Sequence, residues 1–432
     1  MVGKLSIKII IIITTLILIG FVSYNHKESN SEYGFHPDEF LYTYYAGLFK
    51  SYVELDFNNV CWKSKLRHNA VPAGLYWIGL TLYFSDYNNL LVKPTKIWTL
   101  KGPDFLNQIS SYKKNHPLLD IENRIYVFRK KILIFRALAF ASLFIFAFVL
   151  CGYWCALLTI YFLIQNPEFL WISSLVMLET IWLFQYILNL LFIYFYFYYR
   201  TNYPDRKRII NLLIILIAIS TGLLAATKIS GFINILVLII YFFSYIRQKN
   251  SYNQLNKTKI SSDFIQIGLV LFLSLVIFII VNPALYDNPI LGMYNIMINR
   301  LRILNQQIIS QPELYLPHFT SRLIFLKNYL AIDFKKMIFF LVGIFSLFFE
   351  IKKSFSKNDF VNPKYFFALS FFSLAIITLI FMRLAYKRYA LILLPFIYLV
   401  ISYGIITIFK KIILKIRWKI WKYDISQITN IL

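Results

Sequence analysis

Two adjacent carboxylates, Asp38 and Glu39, stand in the stretch FHPDEF, shortly after the first apolar segment of the chain. Pro37 suits the first position of a helix and His36 can cap it, so both acids are predicted in the first turn. The positive end of the helix dipole keeps a nearby carboxylate ionised. An ionised carboxylate at a membrane surface can take a proton from a hydroxyl or amine that attacks a lipid-borne substrate. The alternative is that these residues only start a helix, which the same pattern explains.

The composition predicts a membrane protein. Of the 432 residues, 59% are hydrophobic and 19% are aromatic, and the mean hydropathy is +0.62. A soluble domain has about 45–50% apolar residues. The net charge is +25, but most of the surplus basic residues stand at the ends of apolar segments. We therefore expect these residues to orient the segments in the membrane, and we expect no nucleic-acid partner. The three cysteines, Cys61, Cys151 and Cys155, do not make a disulfide framework.

Apolar runs predict an all-α polytopic membrane protein with about ten transmembrane helices. No A-x-A-like cleavage site follows the first run, so we predict a retained helix rather than a signal peptide. A tight turn is expected over 166–174. The predicted spans are 7–24, 132–150, 154–164, 175–199, 209–226, 231–246, 264–281, 337–349, 365–381 and 389–409.

Basic residues predict the orientation of these spans. If the N-terminus is cytoplasmic, four strongly basic segments fall on the same side, as the positive-inside rule requires: 196–208, 246–259, 351–359 and 410–422. The turn RLAYKR, with Arg383, Lys387 and Arg388, then lies outside and breaks the rule. A turn that breaks the rule needs a reason other than topology.

Two long loops face away from the cytoplasm in this arrangement. The first contains the amphipathic stretches DEFLYTYYAGLF and VPAGLYWIGLTLYF, which are predicted to lie along the membrane surface. The predicted division of the chain is a first helix (1–24), an extracytoplasmic loop with the acidic pair (25–131), helices two to seven (132–281), a second extracytoplasmic loop (282–336), helices eight to ten (337–410) and a basic cytoplasmic tail (411–432).

The stretch HPDEFLYTYYAGLF, in a long loop after the first helix, resembles the GT-C glycosyltransferases. The similarity is to the branch of dolichyl-phosphate-mannose protein mannosyltransferases and bacterial lipid A aminoarabinose transferases. Three weaker matches follow in the order of that branch: GLLAATKISGFI (222–233), VNPALYDNPI (281–290) and RLAYKRYALILLPFIYLV (383–400). Two departures are Glu179, where the branch usually has an aspartate, and the lack of a large soluble domain after the last predicted span.

The resemblance implies transfer of one sugar from a polyprenyl-phosphate carrier to a lipid, glycan or protein acceptor outside the cytoplasm. In a bacterial inner membrane the carrier would be undecaprenyl phosphate. Transfer in this branch usually inverts the configuration of the sugar. Asp38 would be the general base and Glu39 a positioning partner, although the two roles are interchangeable at this stage. The phosphate leaving group needs neutralising cations, and Arg suits bidentate phosphate contact. The candidate phosphate ligands are Lys228, Arg383, Lys387 and Arg388. For Lys228 an equal alternative to phosphate binding is that its long side chain only extends from the membrane interface to water.

Five further residues are secondary candidates. Glu179 lies near the outer end of a span. A carboxylate at mid-membrane depth costs about 2.5–3.5 kcal/mol, and less near the interface, so Glu179 is either part of the active site or an interfacial residue without a role. His68 and His318 can hold a divalent metal together with Asp38 or Glu39, but their spacing matches no known ligand pattern and no cofactor is certain. Arg300 and Arg302 suit either the donor phosphate or a helix on the membrane surface.

Several function classes lack their usual signatures. The chain has no GxxxxGK[ST], GxGxxG, HExxH or CxxC motif. Two rivals stay open. A transporter or flippase of lipid-linked glycans predicts charges deep within the spans and two related halves. An O-antigen polymerase or ligase predicts key arginines in a large loop of the second half, where Arg300, Arg302 and Arg322 stand.

Overall fold

The computed structural model describes residues 13–22, 37–58, 62, 72–83, 121–251, 257–329, 334–386, 388 and 391–429. These residues are almost entirely helical, and their β-structure is one antiparallel bridge between Tyr315 and Leu384. The helices are α1 (Ile13–Val22), α2 (Pro37–Ala46), α3 (Leu48–Val53), α4 (Pro72–Tyr83), α5 (Ile121–Cys151), α6 (Tyr153–Ile164), α7 (Pro167–Ser174), α8 (Leu178–Asn202), α9 (Lys207–Thr227), α10 (Ile233–Ser251), α11 (Lys257–Ile280), α12 (Pro289–Ser310), α13 (Phe319–Tyr329), α14 (Phe334–Lys357), α15 (Pro363–Phe381) and α16 (Leu394–Thr429).

The described part of the chain contains seven helices that are long and apolar enough to cross a membrane, or eight if the bent pair α6 and α7 counts as one span. The predicted all-α polytopic fold is confirmed. Two of the ten predicted spans are not among these helices. The span 337–349 lies within α14, between Lys336 and Glu350, and of the span 7–24 only 13–22 is described.

The tight turn predicted over 166–174 is wrong, because this segment is helix α7. Proline cannot continue a helix, since it has no N–H to donate, so α6 stops before Pro167. The side chain of Asn166 then accepts a hydrogen bond from the N–H of Phe169 at 2.7 Å and starts a new helix. The new helix is bent by 77° from α6.

Small residues allow close helix packing where the site is built. Gly74 of α4 lies against Leu178 at the start of α8 and Thr227 at the end of α9, and a Cβ at Gly74 would stand 2.6 Å from Leu178 Cδ2. Helices α14 and α16 also pack closely, at Gly343 and Gly404. A Cβ at either glycine would collide with a main-chain carbonyl of the neighbouring helix. These contacts hold α4 over the ends of α8 and α9, and α16 against α14.

Candidate active site

Helix α2 begins at Pro37 and carries Asp38 and Glu39 in its first turn, as predicted. Its far end is buried, because Tyr45 and Ala46 pack in an apolar cluster with residues of α4, α5 and α8. The acidic turn is thereby held at one end of the helix bundle. His36 lies outside the described residues.

Glu39 is completely buried and forms a bidentate ion pair with Arg129 of α5. Arg129 Nε donates to Glu39 Oε1 at 2.8 Å and Arg129 Nη2 donates to Oε2 at 2.7 Å. The N–H of Val176, just before α8, also donates to Oε1 at 3.0 Å. Both oxygens of Glu39 therefore hold protein groups together, and neither is open to solvent.

Asp38 forms an ion pair with Arg388, which lies in the link between α15 and α16. The two side chains keep partial exposure, 14% for Asp38 and 18% for Arg388, in contrast to the sealed Glu39. The guanidinium of Arg388 also stands 5.3 Å from the ring centre of Tyr386, within the range of a cation–π contact. Asp38 is thus a carboxylate at the surface of the site, held beside a cation.

The residues before Arg388 are positioned by the segment 311–318 of the second long loop. The N–H of Leu316 donates to Arg383 O at 2.9 Å and the N–H of Ala385 donates to Leu314 O at 2.8 Å. The hydroxyl of Tyr386 donates to the side chain of Gln311. The chain from Arg383 to Tyr386 is consequently held by segment 311–318.

Arg322 fixes the end of α15 from the same loop. Its Nη1 donates to the carbonyls of Leu379 and Ile380, each at 2.8 Å, which occupy the last turn of α15. Its Nε donates to Leu316 O at 3.0 Å and its Nη2 to Pro317 O at 3.1 Å. All three nitrogens of the Arg322 guanidinium therefore donate hydrogen bonds to main-chain carbonyls.

A second ion pair joins Glu179, in the first turn of α8, to Lys228 at the end of α9. Lys228 Nζ lies 2.7 Å from Glu179 Oε1, and the two side chains are 16% and 2% exposed. Glu179 Oε2 is buried and has no hydrogen-bond partner. Glu179 also interacts electrostatically with Arg388, which connects the two ion pairs. We call Asp38, Glu179, Lys228 and Arg388 the site cluster.

Tyr42 lies among the charges of the site cluster. It follows Asp38 by one helical turn, so the two side chains share a face of α2. Burial raises the pKa of the Tyr42 phenol, and the charges of Asp38 and Glu179 raise it further against the opposing effects of Arg388 and Arg300. The phenol therefore keeps its proton at neutral pH and is a hydrogen-bond donor. Tyr42 is not among the residues predicted from the sequence, although its spacing from Asp38 is a signal.

The remaining predicted residues are not part of the site cluster. Arg300, Arg302, His318 and Arg383 have exposed side chains, and Arg300 acts on the site through its charge near Tyr42. Among the described residues, no group of three His, Cys, Asp or Glu side chains could hold a metal ion. His68 and Lys387 lie outside the described residues.

The site cluster combines a partly exposed carboxylate, a second carboxylate with one unpartnered oxygen, and two cations at one end of the bundle. Cations in such a place stabilise a phosphate anion, and a carboxylate beside them can accept a proton. The arrangement therefore suits a reaction in which a hydroxyl or amine attacks and a phosphate leaves.

No family model and no curated protein matches the sequence. Solved structures are similar to this chain, and two of them are described here. The crystal structure of the apo oligosaccharyltransferase of Archaeoglobus fulgidus matches with a TM-score of 0.55 and 11% sequence identity, over 94% of this chain and 52% of that chain. The crystal structure of ArnT from Cupriavidus metallidurans bound to undecaprenyl phosphate matches with a TM-score of 0.47 and 11% identity, over 92% and 59%. The chain spans a little over half the length of each.

The oligosaccharyltransferase, which matches with a TM-score above 0.5, is a GT-C glycosyltransferase. The expected resemblance to the GT-C superfamily is confirmed at the level of the fold. The narrower expectation, a place in the mannosyltransferase and aminoarabinose transferase branch, stays a prediction, because one match is an oligosaccharyltransferase. The protein is an integral membrane protein with the fold of GT-C glycosyltransferases.

Proposed function

We propose that this protein is a glycosyltransferase that moves one sugar from a polyprenyl-phosphate carrier to a lipid, glycan or protein acceptor. One observation carries the proposal. Four charged side chains from four distant parts of a GT-C-like chain, Asp38, Glu179, Lys228 and Arg388, meet at one end of the bundle. We further propose that this end is extracytoplasmic, in the predicted division into outer loops 25–131 and 282–336 and an inner tail 411–432.

Lys228 and Arg388 are the proposed ligands of the donor phosphate. The alternative for Lys228, reaching toward water, fits its contacts poorly, since its Nζ contacts Glu179 at 2.7 Å and its side chain is only 16% exposed. Arg388 offers the planar guanidinium that binds phosphate oxygens in pairs. Together they stabilise the negative charge that develops on the phosphate as the bond to the sugar breaks.

Asp38, not Glu39, is the proposed general base. Glu39 has no exposed surface and both of its oxygens are bound to Arg129, so we assign it a structural role in fixing α2. Asp38 is partly exposed, and its partner Arg388 is a group that the donor phosphate also attracts. While Asp38 is paired with Arg388, the guanidinium occupies its carboxylate. We infer that donor binding draws Arg388 to the phosphate and leaves Asp38 ready to accept the proton of the acceptor.

The contacts of the arginines weigh against the polymerase or ligase alternative. Arg322 donates to four main-chain carbonyls and supports α15, which leaves it little capacity to bind a substrate. Arg300 and Arg302 are exposed on α12, whose apolar residues Ile290 and Met297 are exposed too. That pattern is typical of a helix on a membrane surface.

The test compares cells that carry the wild-type protein, Asp38→Asn or Asp205→Asn. Asp205 is exposed in the turn between α8 and α9, so it controls for the loss of one acidic charge. Mass spectrometry measures polyprenyl-phosphate sugars and sugar-bearing acceptors of the envelope. Loss of a general base lowers the rate by about 10²–10⁴-fold.

We expect Asp38→Asn to accumulate one polyprenyl-phosphate monosaccharide while one acceptor loses the same sugar, and Asp205→Asn to match the wild type. Unchanged profiles with Asp38→Asn present in the membrane would mean that the acidic turn only starts helix α2. The transporter alternative would then become the better explanation.

A further inference from the structure

One face of α8, directly next to the site cluster, carries four buried polar atoms without a hydrogen-bond partner. They are Glu179 Oε2, Trp182 Nε1, Gln185 Nε2 and the Tyr186 hydroxyl. Their side chains are between 0% and 5% exposed. Residues at these spacings fall within about one third of the helix circumference, so the four groups share a face.

Such a concentration is unusual, because buried polar groups in native proteins nearly always have partners. Asn189, one turn further along α8, follows that rule. Asn189 Nδ2 donates to Ser220 Oγ at 2.7 Å and to Thr221 Oγ1 at 2.8 Å, and its Oδ1 accepts from Asn234 at 2.8 Å. The four unpartnered atoms thus lie in about the first two and a half turns of α8, next to the ion pair of Glu179 and Lys228, whereas the other unpartnered atom of this helix, Thr201 Oγ1, lies at its opposite end.

Two contacts orient this face. Gln185 Oε1 accepts a hydrogen bond from Thr227 at 2.8 Å, which leaves the amide nitrogen as its unpaired end. The rings of Trp182 and Tyr186 are stacked, with centroids 4.8 Å apart and planes 14° from parallel. The face thus combines two N–H donors, a hydroxyl and a carboxylate oxygen with a stacked pair of aromatic rings.

This combination matches the chemistry of a sugar, whose hydroxyls donate and accept hydrogen bonds while its C–H faces pack on aromatic rings. The four residues span about 10 Å along the helix axis, which is the scale of one or two sugar rings. Lys228, a proposed phosphate ligand, contacts the first of them, Glu179. In the donor, the sugar is bonded directly to that phosphate.

We propose that Glu179, Trp182, Gln185 and Tyr186 form the subsite that binds the hydroxyls of the donor sugar. The inference rests on the proposed function and deepens it. Trp182 and Tyr186 are 1% and 0% exposed, so the stacked rings must shift to admit the sugar. The subsite then selects the sugar, while Lys228 and Arg388 bind the phosphate shared by all donors.

The experiment measures how ligands shift the melting temperature of the full-length protein in detergent. The probes are undecaprenyl phosphate alone and undecaprenyl phosphate carrying glucose, mannose, galactose or 4-amino-4-deoxyarabinose. The variants are Tyr186→Phe and Gln185→Leu, which remove polar atoms and keep the side-chain size. Tyr241→Phe is the control, because the Tyr241 hydroxyl is also buried and unpartnered but packs near Tyr365 in the first turn of α15, away from the site cluster.

We expect the wild type to bind one sugar-bearing probe more tightly than the carrier alone. Tyr186→Phe and Gln185→Leu should each reduce that extra affinity about two- to tenfold, while affinity for the carrier alone stays unchanged. Without ligand, Tyr186→Phe should melt at or above the wild-type temperature, since an unpaired polar atom is removed. Gln185→Leu also loses the hydrogen bond from Thr227 and should melt at or below that temperature. Tyr241→Phe should keep the full extra affinity.

Two results overturn the subsite. One is a wild type that binds the carrier but gains nothing from any sugar, and the other is a full sugar effect in Tyr186→Phe and Gln185→Leu. A wild type that binds neither the carrier nor any sugar-bearing probe would instead contradict the proposed function itself. Because the carrier and the sugar are scored separately, the two failures are distinguishable.

Discussion

Both ends of the helix bundle bury a carboxylate beside cations, but they do so differently. At the end away from the site cluster, Asp263 of α11 is fully buried. Its Oδ1 accepts from Arg200 Nε at 3.0 Å and from Nη2 at 2.6 Å, and its Oδ2 accepts from Lys249 Nζ at 2.7 Å. Every oxygen is used, and the three residues connect the ends of α8, α10 and α11.

The other end contains one acid of this kind and two of another kind. Glu39 is saturated like Asp263, whereas Glu179 keeps an unpartnered oxygen and Asp38 is partly exposed beside Arg388. A saturated buried ion pair connects helices and can do little else. An ion pair that is partly exposed or incomplete can exchange its partner for a substrate. The comparison therefore separates residues that hold the bundle together from residues proposed to do chemistry.

The largest effect is expected for Arg129→Ala. This change leaves Glu39 as a buried charge without its guanidinium, and breaking a buried pair in this way lowers the free energy of unfolding by about 3–5 kcal/mol. Titration with a denaturing detergent, followed by circular dichroism, measures the loss. A variant as stable as the wild type would show that Glu39 and Arg129 do not fix α2, and Glu39 would return as a candidate for catalysis.

Arg388→Ala should act on the reaction instead of on stability. Removal of a group that stabilises developing charge lowers the rate by about 10²–10³-fold, because the leaving phosphate loses its guanidinium. Sugar transfer per folded molecule is the measurement, with Arg200→Ala at the opposite end as the control. Equal rates for the two variants would remove the distinction between the two ends.

Asp263→Asn should cost stability and leave transfer alone. The amide still accepts hydrogen bonds, and Arg200 and Lys249 keep some solvent access, 17% and 20%. We expect the free energy of unfolding to fall by about 1–3 kcal/mol with a normal transfer rate per folded molecule. A tenfold loss of rate at normal stability would contradict the structural role of this end.

The smallest effect is expected for Lys50→Ala. Lys50 of α3 and Glu54, which follows this helix, form an ion pair 3.8 Å long, and their side chains are 52% and 53% exposed. Exposed pairs of this kind contribute about 0–1 kcal/mol, so stability and transfer should both stay near the wild type. A large loss of transfer would show that α3 takes part in the site, which no contact of this pair indicates.

Hydropathy predicted most of the fold, and the placement of charges drew attention to the residues that we group as the site cluster. Asp38, Lys228 and Arg388 are recognisable because each is a charged residue at the end of an apolar run. Arg129 was missed as the partner of Glu39, since a pairing across 90 residues depends on how α2 docks against α5. A signal existed, because Arg129, Lys130 and Lys131 stand at the predicted outer end of a span and break the positive-inside rule as RLAYKR does.

Local signals were also misread. The order Asn166-Pro167-Glu168 is a helix start, yet the expected length of a turn between two spans favoured a loop. The unpartnered face of α8 had no signal at all, because Trp182 and Tyr186 are two among many aromatic residues. Their significance depends on which polar atoms lack partners, and only three-dimensional packing determines that.

The bridge between Tyr315 and Leu384 has a consequence for engineering this protein. In paired extended segments, a slip of one residue turns each side chain to the opposite face. A single insertion between Gln311 and Pro317 would thus disrupt the hydrogen bonds that hold Arg383 to Tyr386 and with them the support of the chain that leads to Arg388. Chimeras that exchange the second loop with a relative should therefore transfer 311–318 and 382–388 together, as one interchangeable module.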